Sequence, residues 1–291
     1  MLLFSRLRRY SLCDGRGQRG RIVDFIVELL AEDYPPVTHI IFRQGSHGRE
    51  VLRWQDVVSV DHENLRIEVR DIDGGQLAPQ EFLRDKVLLS DIDDALVLDL
   101  KNLRATRANG LLLEEQDGRI ILAAVDTSVS ALLRHVTGGR FSYVPTNKIH
   151  DFTSIEFLRG DPDAVRSGMP YRSRIKELPA GEIARLTAQL PYMHAAELLT
   201  LLPDPLAINT LEAMTARRRL QVFEELTEER ALELLEIMAP DVAADLLGVI
   251  ETDRMQRYLE RLSQIHSGRI VHLRSCARLT PRGTYRASSA W

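Results

Sequence analysis

Asp241 and Asp245 are the residues whose type and spacing most directly suggest chemistry. They stand four positions apart, so they share one face if the segment is helical. Two like charges at this spacing repel by about 0.2–0.5 kcal/mol. A hard divalent cation that bridged both carboxylates would relieve this repulsion, with water completing an oxygen shell. We therefore predict a candidate metal site at Asp241 and Asp245, and the alternative is a solvated acidic helix face.

The segment from Gly15 to Gly20 matches the GxGxxG pattern of dinucleotide-binding loops. That function needs a buried apolar strand before the loop and a helix after it. The preceding residues, Tyr10 to Asp14, are too polar for a central parallel strand, and the following residues have a strand pattern. We predict a glycine-rich hairpin turn and no bound nucleotide.

The remaining polar motifs form no nucleophile–base pattern. The eight histidines are scattered, and His194 is predicted to be a helix-boundary residue rather than a ligand. Asp91 to Asp94 lacks the glycine and distal glutamate of a calcium loop, which favours a turn with a helix cap. Arg217 to Arg219 could bind an acidic patch or a phosphate, or form a solvated face. We expect no catalytic residues and no enzyme activity.

A twelve-residue period organises the chain from Leu190 to Leu262. The period is visible as two apolar columns when the sequence is written in rows of twelve. The first column contains Leu190, Leu202, Met214, Leu226, Met238, Ile250 and Leu262. The tenth column contains Leu199, Leu211, Phe223, Leu235, Leu247 and Leu259.

Each row has the features of one short helix. Thr215 and Thr227 suit N-cap positions, and Pro203, Pro205 and Pro240 suit boundaries or first turns. Apolar residues in the sixth, seventh, ninth and tenth columns give one buried stripe. A helix of about ten residues is unstable alone in water, so the rows should stack into a superhelix. A plain helical bundle is the alternative, although its helices rarely share one length.

These rows resemble the cytosolic N-terminal domain of MgtE-type magnesium channels, which is a superhelix of short helices. The matching stretches are Ala195 to Leu199 and Asp241 to Leu247, and the likeness covers about residues 178–262. The resemblance implies that acidic residues on the Asp241 row help to hold Mg²⁺ against CBS domains. It also implies a protein partner, such as a CBS domain or a transporter component.

Residues 1–140 have strand patterns instead. Arg21 to Glu28, Val37 to Phe42, Val51 to Trp54 and Leu65 to Val69 read as strands with turn residues between them. The pattern Arg-Ile-x-x-x-x-Val occurs after Gly20 and again after Gly118. This region resembles the PRC-barrel family, and we predict one small β-barrel unit at residues 1–76 and a second at 77–140. Ser128 to Val136 is predicted to be a short helix.

Charge and composition limit the function further. The 291 residues carry a net charge of −4, and Pro179 to Ile265 has 15 acids against 8 bases. Residues 1–150 have 20 bases and 22 acids and so offer no basic face by count, which disfavours DNA and makes RNA an unexpected partner. The two cysteines fit a reducing cytoplasm, and no apolar run is long enough to span or insert into a membrane.

The sequence thus predicts an α+β multidomain protein: β-barrel units, a linker at 141–177, and a helical superhelix at 178–265. The arginine-rich residues 266–291 are expected to be a disordered tail or a truncated or frame-shifted end. We expect a non-catalytic regulatory protein that resembles a magnesium-sensing domain. The alternative is a protein- or RNA-binding scaffold without a metal role. A basic, aromatic face on the barrel would favour RNA, whereas acids clustered on the helices would favour a cation.

Overall fold

Strands form the first part of the chain and helices form the second, as the hydrophobic patterns predict. The computed structural model describes residues 1–45, 48–77, 80–83, 86–128, 148–161 and 174–265. The chain divides into two compact units, Met1–Ile175 and Lys176–Trp291. The α+β fold class is therefore confirmed.

The first unit contains fifteen described strands and three short helices. The strands are β1 (Leu2–Leu3), β2 (Ser11–Asp14), β3 (Arg19–Val27), β4 (Val37–Arg43), β5 (Glu50–Arg53), β6 (Val57–Asp61), β7 (Arg66–Val69), β8 (Gln76–Leu77), β9 (Val87–Leu88), β10 (Leu96–Asp99), β11 (Arg104–Arg107), β12 (Gly110–Gln116), β13 (Arg119–Asp126), β14 (Ile149–Asp151) and β15 (Ile155–Leu158). The helices are α1 (Phe4–Leu7), α2 (Gln80–Leu83) and α3 (Leu89–Ile92).

These strands form three sheets. The largest has the order β6-β7-β2-β3-β4-β5-β8, with β9 beside β3. The second has the order β1-β12-β13-β14, and the third has the order β11-β10-β15. All pairs are antiparallel except β2 with β7.

The prediction of closed β-barrels is wrong for the residues that the structure describes. The large sheet ends at β6 and at the two-residue β8, and each of these pairs on one side only. The strands of the predicted second barrel are divided among all three sheets, since β9 pairs with β3 of the large sheet and the others lie in the two smaller sheets. Apolar alternation shows which face of a strand is buried, but it does not fix which strand closes a sheet.

One hydrophobic core includes residues from both predicted β units. Phe25, Trp54 and Ile67 belong to the same buried cluster as Leu113 and Phe157. The N-terminal β1 pairs with β12, which lies in the predicted second unit. The predicted boundary between two β units at residues 76/77 therefore stays a prediction. The structure shows that residues on the two sides of this boundary pack together.

The glycine-rich segment forms the hairpin turn between β2 and β3, as predicted. Asp14 Oδ1 accepts hydrogen bonds from the backbone N–H groups of Arg16 and Gln18, both at 2.9 Å. Gly17 has φ +83°, which favours glycine because it lacks a Cβ. The β12–β13 hairpin turns at Asp117 and Gly118, both with positive φ, as a type I′ turn requires.

Part of the predicted linker at 141–177 belongs to the sheets. Residues Phe152–Ser154 form a 3₁₀ turn, and β15 then pairs with β10. A second 3₁₀ turn covers Arg174–Glu177. The predicted helix from Ser128 to Val136 lies outside the described residues beyond Ser128, and the predicted tail at 266–291 lies outside them as well.

The described part of the second unit contains seven α-helices whose starts are twelve residues apart. They are α4 (Ala180–Thr187), α5 (Tyr192–Leu201), α6 (Asp204–Ala213), α7 (Ala216–Glu224), α8 (Glu228–Ile237), α9 (Pro240–Leu247) and α10 (Thr252–Ile265). No helix among the described residues is long and apolar enough to cross a membrane.

Both apolar columns are buried, as their spacing predicts. The tenth-column residues are all at most 9% exposed, and the first-column residues are at most 7% exposed. The hydroxyls of Thr215 and Thr227 accept from the N–H groups of Arg218 and Arg230, which confirms them as N-caps. Pro203 is an N-cap residue, and Pro205 and Pro240 occupy first turns. Helices two positions apart pack on each other: α4 on α6, α5 on α7, α6 on α8, and α8 on α10.

Candidate functional site

The acidic pair lies on α9, and the helix presents both carboxylates away from its packed side. Asp241 is in the first turn, and Asp245 follows one turn later. Both residues are exposed, whereas Ala243 and Leu247 on the opposite side are buried. Pro240 at the first helical position supplies a favourable φ and needs no hydrogen-bond partner for its nitrogen. The sequence spacing therefore produces the predicted shared acidic face.

The electrostatics of the two positions differ. The partial positive charge of the helix N-terminus stabilises a carboxylate at Asp241 but has little effect one turn later at Asp245. Their mutual repulsion is modest because both are in water. A bound cation would attract both carboxylates together.

The residues present fit only a loosely held cation. Two carboxylates on one helix face can contact a hard divalent ion, but Mg²⁺ prefers six oxygen ligands in octahedral geometry. Within the described residues, no group of three or more His, Cys, Asp or Glu side chains could hold a metal ion. Asp241 and Asp245 would therefore share the ion with water or with oxygens from a partner.

Three arginines of the helical unit, which we call the anchor arginines, are Arg218, Arg230 and Arg254. Each donates to the backbone carbonyl of the residue 28 positions earlier: Leu190, Leu202 and Leu226. These carbonyls follow the ends of α4, α5 and α7, where helices leave carbonyl groups without internal partners. A guanidinium suits this position because it donates several hydrogen bonds and favours the negative end of a helix dipole.

Arg230 is the most buried anchor arginine, at 6% exposure. Its Nη2 donates to the Leu202 carbonyl at 2.8 Å. Its Nη1 contacts Asp204 at 2.5 Å and Glu233 at 3.0 Å. The buried cation is thus paired with two carboxylates and one helix end, which joins α5, α6 and α8.

Arg218 and Arg254 add aromatic contacts to their carbonyl bonds. The Arg218 guanidinium lies 4.4 Å from the centre of the Tyr192 ring and also donates to the Thr187 carbonyl. Arg254 Nε donates to the Tyr258 hydroxyl at 2.8 Å, and its Nη1 donates to the Glu224 carbonyl at 2.7 Å.

The row of α9 has Val242 where three other rows have an anchor arginine. The corresponding carbonyl, that of Met214, accepts a 3.4 Å hydrogen bond from Arg219 instead. Arg219 also donates to the carbonyls of Leu211 and Glu212. The interpretation of Arg217 to Arg219 as one solvated face therefore holds only for Arg217, which is exposed.

The sequence carries a signal for these arginines. Arg218, Arg230 and Arg254 all occupy the fifth column of the twelve-residue rows. Their successive spacings, 12 and 24 residues, are therefore one and two row lengths. Read beside the apolar columns, this polar column indicates a repeated structural contact. The identity of the acceptor required the tertiary structure.

The first unit contains a hydrogen-bonded chain that sequence reasoning missed. Asp99 Oδ2 lies 3.0 Å from His150 Nδ1, and His150 Nε2 lies 3.1 Å from the Thr127 hydroxyl. The Thr127 hydroxyl also contacts the Lys148 carbonyl at 3.2 Å. Burial opposes ionisation of Asp99, but hydrogen bonds from Asn102 and the charge of His150 lower the pKa of this carboxyl. This chain connects β10, the end of β13 and β14.

The other motifs have local structural roles in the described residues. Asp91 lies in α3, and its carboxylate accepts from the N–H of Leu88 at 2.8 Å, as a capping residue does. Burial raises the pKa of Asp91, against the effects of that hydrogen bond and of Arg159. His194 lies in the first turn of α5, near the predicted helix boundary.

Comparison with known proteins finds a similarity for the helical unit alone. No curated protein and no solved structure matches the chain significantly. The resemblance of residues 1–140 to PRC-barrels therefore stays an interpretation. The matched range of the family comparison begins at the predicted residue 178 and ends at 275, beyond the described helices. The family model described as the MgtE intracellular N domain matches residues 178–275, and this confirms the resemblance of the helical rows to that family.

Proposed function

We propose that this protein is a non-catalytic regulatory protein whose helical unit responds to Mg²⁺. The observation that carries the proposal is the position of Asp241 and Asp245 within the matched domain, exposed on one face of α9. The surrounding charge supports it, since Pro179 to Ile265 has 15 acids against 8 bases and therefore attracts cations.

The helices that hold this face are proposed to wind into a superhelix. Their starts are twelve residues apart, and α4, α5, α6 and α8 each pack on the helix two positions further along the chain. The 28-residue offset of the anchor arginines is the same at Leu190, Leu202 and Leu226. A constant spacing of helix starts and a recurring arginine contact between successive elements favour a regular stack over a plain bundle.

A protein partner would complete the proposed cation site. Two carboxylates leave most of the coordination shell of Mg²⁺ to water, and this ion loses water reluctantly. Oxygen ligands from a CBS domain or from a component of a transporter would strengthen binding by replacing that water. We propose such a partner, and a cytoplasmic location for the complex, on the basis of the family match.

The test is a Mg²⁺ titration of the full chain, followed by backbone amide shifts. We expect saturable shifts centred on α9 with a Kd on the order of 1 mM, which corresponds to about 4 kcal/mol. The Asp241→Asn/Asp245→Asn variant should lose these shifts. Both positions are exposed, so the variant should keep its fold.

The matched control is Glu225→Gln/Glu229→Gln, which removes two exposed acids from the same unit. It should respond as the original protein does if the site depends on Asp241 and Asp245. Equal responses in all three proteins would contradict the proposal and would identify the pair as a solvated acidic face.

A further inference from the structure

Three arginines from separate elements of the first unit converge on one small cleft. Arg8 follows α1, Arg21 lies in β3, and Arg43 ends β4. Together with Ile22 and Val23 they line a cleft of about 260 Å³. We call this the arginine cleft. All three arginines are exposed, so a ligand can reach their guanidinium groups from solvent.

The arrangement places like charges directly opposite each other. Arg21 and Arg43 are Cα partners in the antiparallel register of β3 and β4. Like charges at such a position destabilise a sheet. Arg8 adds a third positive charge at the same place, and its guanidinium lies 5.8 Å from the centre of the Phe4 ring. The fold therefore brings three positive charges together at this point, and their repulsion weakens the pairing of β3 with β4.

The described part of the chain supplies no carboxylate for these arginines. None of the three forms an ion pair or a hydrogen bond with an acid among those residues. The next acid along β3, Asp24, is buried and accepts from the N–H groups of Phe25 and Ser90. Residues 1–21 contain six arginines and a single acid, Asp14, which accepts from its own hairpin turn.

The backbone of the cleft is irregular as well. The register of β3 with β4 passes from Ile22 directly to Asp24, so Val23 has no partner residue on β4. This is a β-bulge, which bends a strand and changes the direction of neighbouring side chains. The bulge residue lines the arginine cleft, next to Arg21. Bulges are common beside binding sites for this reason.

We propose that the arginine cleft binds the phosphate group of a phosphorylated ligand. Guanidinium groups bind phosphate oxygens through paired, charge-assisted hydrogen bonds, and an anion would cancel the repulsion between Arg21 and Arg43. The cleft is smaller than the pockets of about 300–1,000 Å³ that enclose drug-sized molecules. It therefore accommodates one or two phosphoryl groups, and the remainder of the ligand lies outside it.

Calorimetric titration of the full chain with inorganic pyrophosphate tests the proposal, in buffer of fixed ionic strength without divalent cations. The original protein should bind with saturation. The Arg21→Gln/Arg43→Gln variant should bind at least about tenfold more weakly, because two charged donors are lost. Its melting temperature without ligand should be equal or higher, because the repulsion is removed.

The matched control is Arg53→Gln on the neighbouring β5, which removes one exposed arginine outside the cleft. Its affinity should stay within about twofold of the original, as expected for a charge that does not contact the ligand. Equal weakening by Arg53→Gln would show unspecific attraction and would overturn the proposal.

Vesicles that contain a phosphoinositide form a second arm of the experiment. Vesicle binding that the double variant abolishes would identify a lipid headgroup as the source of the phosphate. Pyrophosphate binding without vesicle binding would identify a soluble phosphate ester. If the original protein binds neither probe, the arginine cleft is not a phosphate site.

Discussion

The anchor arginines make a quantitative prediction, and Arg230→Met tests it most directly. Methionine keeps much of the length and the apolar stem of the side chain but loses every hydrogen-bond donor. The variant therefore removes the bond to the Leu202 carbonyl and the contacts to Asp204 and Glu233. The helices α5, α6 and α8 would then lose their shared polar contact.

The magnitude follows from the burial of each partner. Leu202 is 3% exposed, so its carbonyl cannot be solvated by water without rearrangement, and losing its partner should cost about 1–3 kcal/mol. The side chains of Asp204 and Glu233 are 38% and 46% exposed, so each ion pair contributes only about 0–1 kcal/mol. We expect a total loss of about 1–5 kcal/mol in the free energy of unfolding.

Urea denaturation followed by circular dichroism at 222 nm measures this loss, with an unchanged slope against urea concentration. The control is Arg217→Met on α7, an exposed arginine for which a change within about 0.5 kcal/mol is expected. High salt should reduce only the ion-pair part of the Arg230 effect, because the buried carbonyl contact is poorly screened. Equal losses in Arg230→Met and Arg217→Met would refute the anchoring role.

Three further predictions concern the core, the hairpin turn and the buried carboxylate. Leu235 is 2% exposed, so Leu235→Ala should cost about 2–5 kcal/mol in urea denaturation, and a loss near zero would contradict its core position. Gly17→Ala should lower the free energy of unfolding by about 1–2 kcal/mol because φ at this position is +83°. Calorimetry should detect no NAD or FAD binding to the original protein. Nucleotide binding that this variant abolishes would contradict the hairpin-turn interpretation. Asp99→Asn should cost about 1–3 kcal/mol at pH 7, because hydrogen bonds to the charged carboxylate are lost. The folded-state pKa of Asp99 is lowered from 3.8, so its contribution is present above pH 3.8 and disappears as pH falls through the folded-state pKa. A difference that does not shrink as the pH falls below 3.8 would contradict this linkage.

Much of the helical unit could be predicted from the sequence, because the features that specify its helices lie within short segments of the chain. A twelve-residue period with two apolar columns specifies the spacing of the helices and the buried side of each. The caps Thr215 and Thr227 and the first-turn Pro240 specify where helices begin. The shared face of Asp241 and Asp245 follows from the helical period alone. None of these features depends on contacts between residues far apart in the chain.

The first unit shows the opposite case. Most strands occur where apolar alternation predicts them, but the described strands do not close into barrels. Whether a sheet closes depends on pairing between strands that are distant in the chain. The pairing of β1 with β12 and of β10 with β15 joins segments that the sequence assigned to different parts. Apolar alternation is compatible with several pairings, so it could not distinguish among them.

The polar sites depended most on tertiary structure. The charge count of residues 1–150 did not reveal a basic face. Charge composition gives the number of charged side chains but not which of them lie close together in the fold. Strand pairing and the turn after α1 bring Arg8, Arg21 and Arg43 to one cleft. In the same way, Asp99 and His150 meet only because β14 follows β13 in the sheet, beside the end of β10. Periods and helix caps are local and follow from the order of the residues, whereas contacts across long separations depend on how the strands and helices pack.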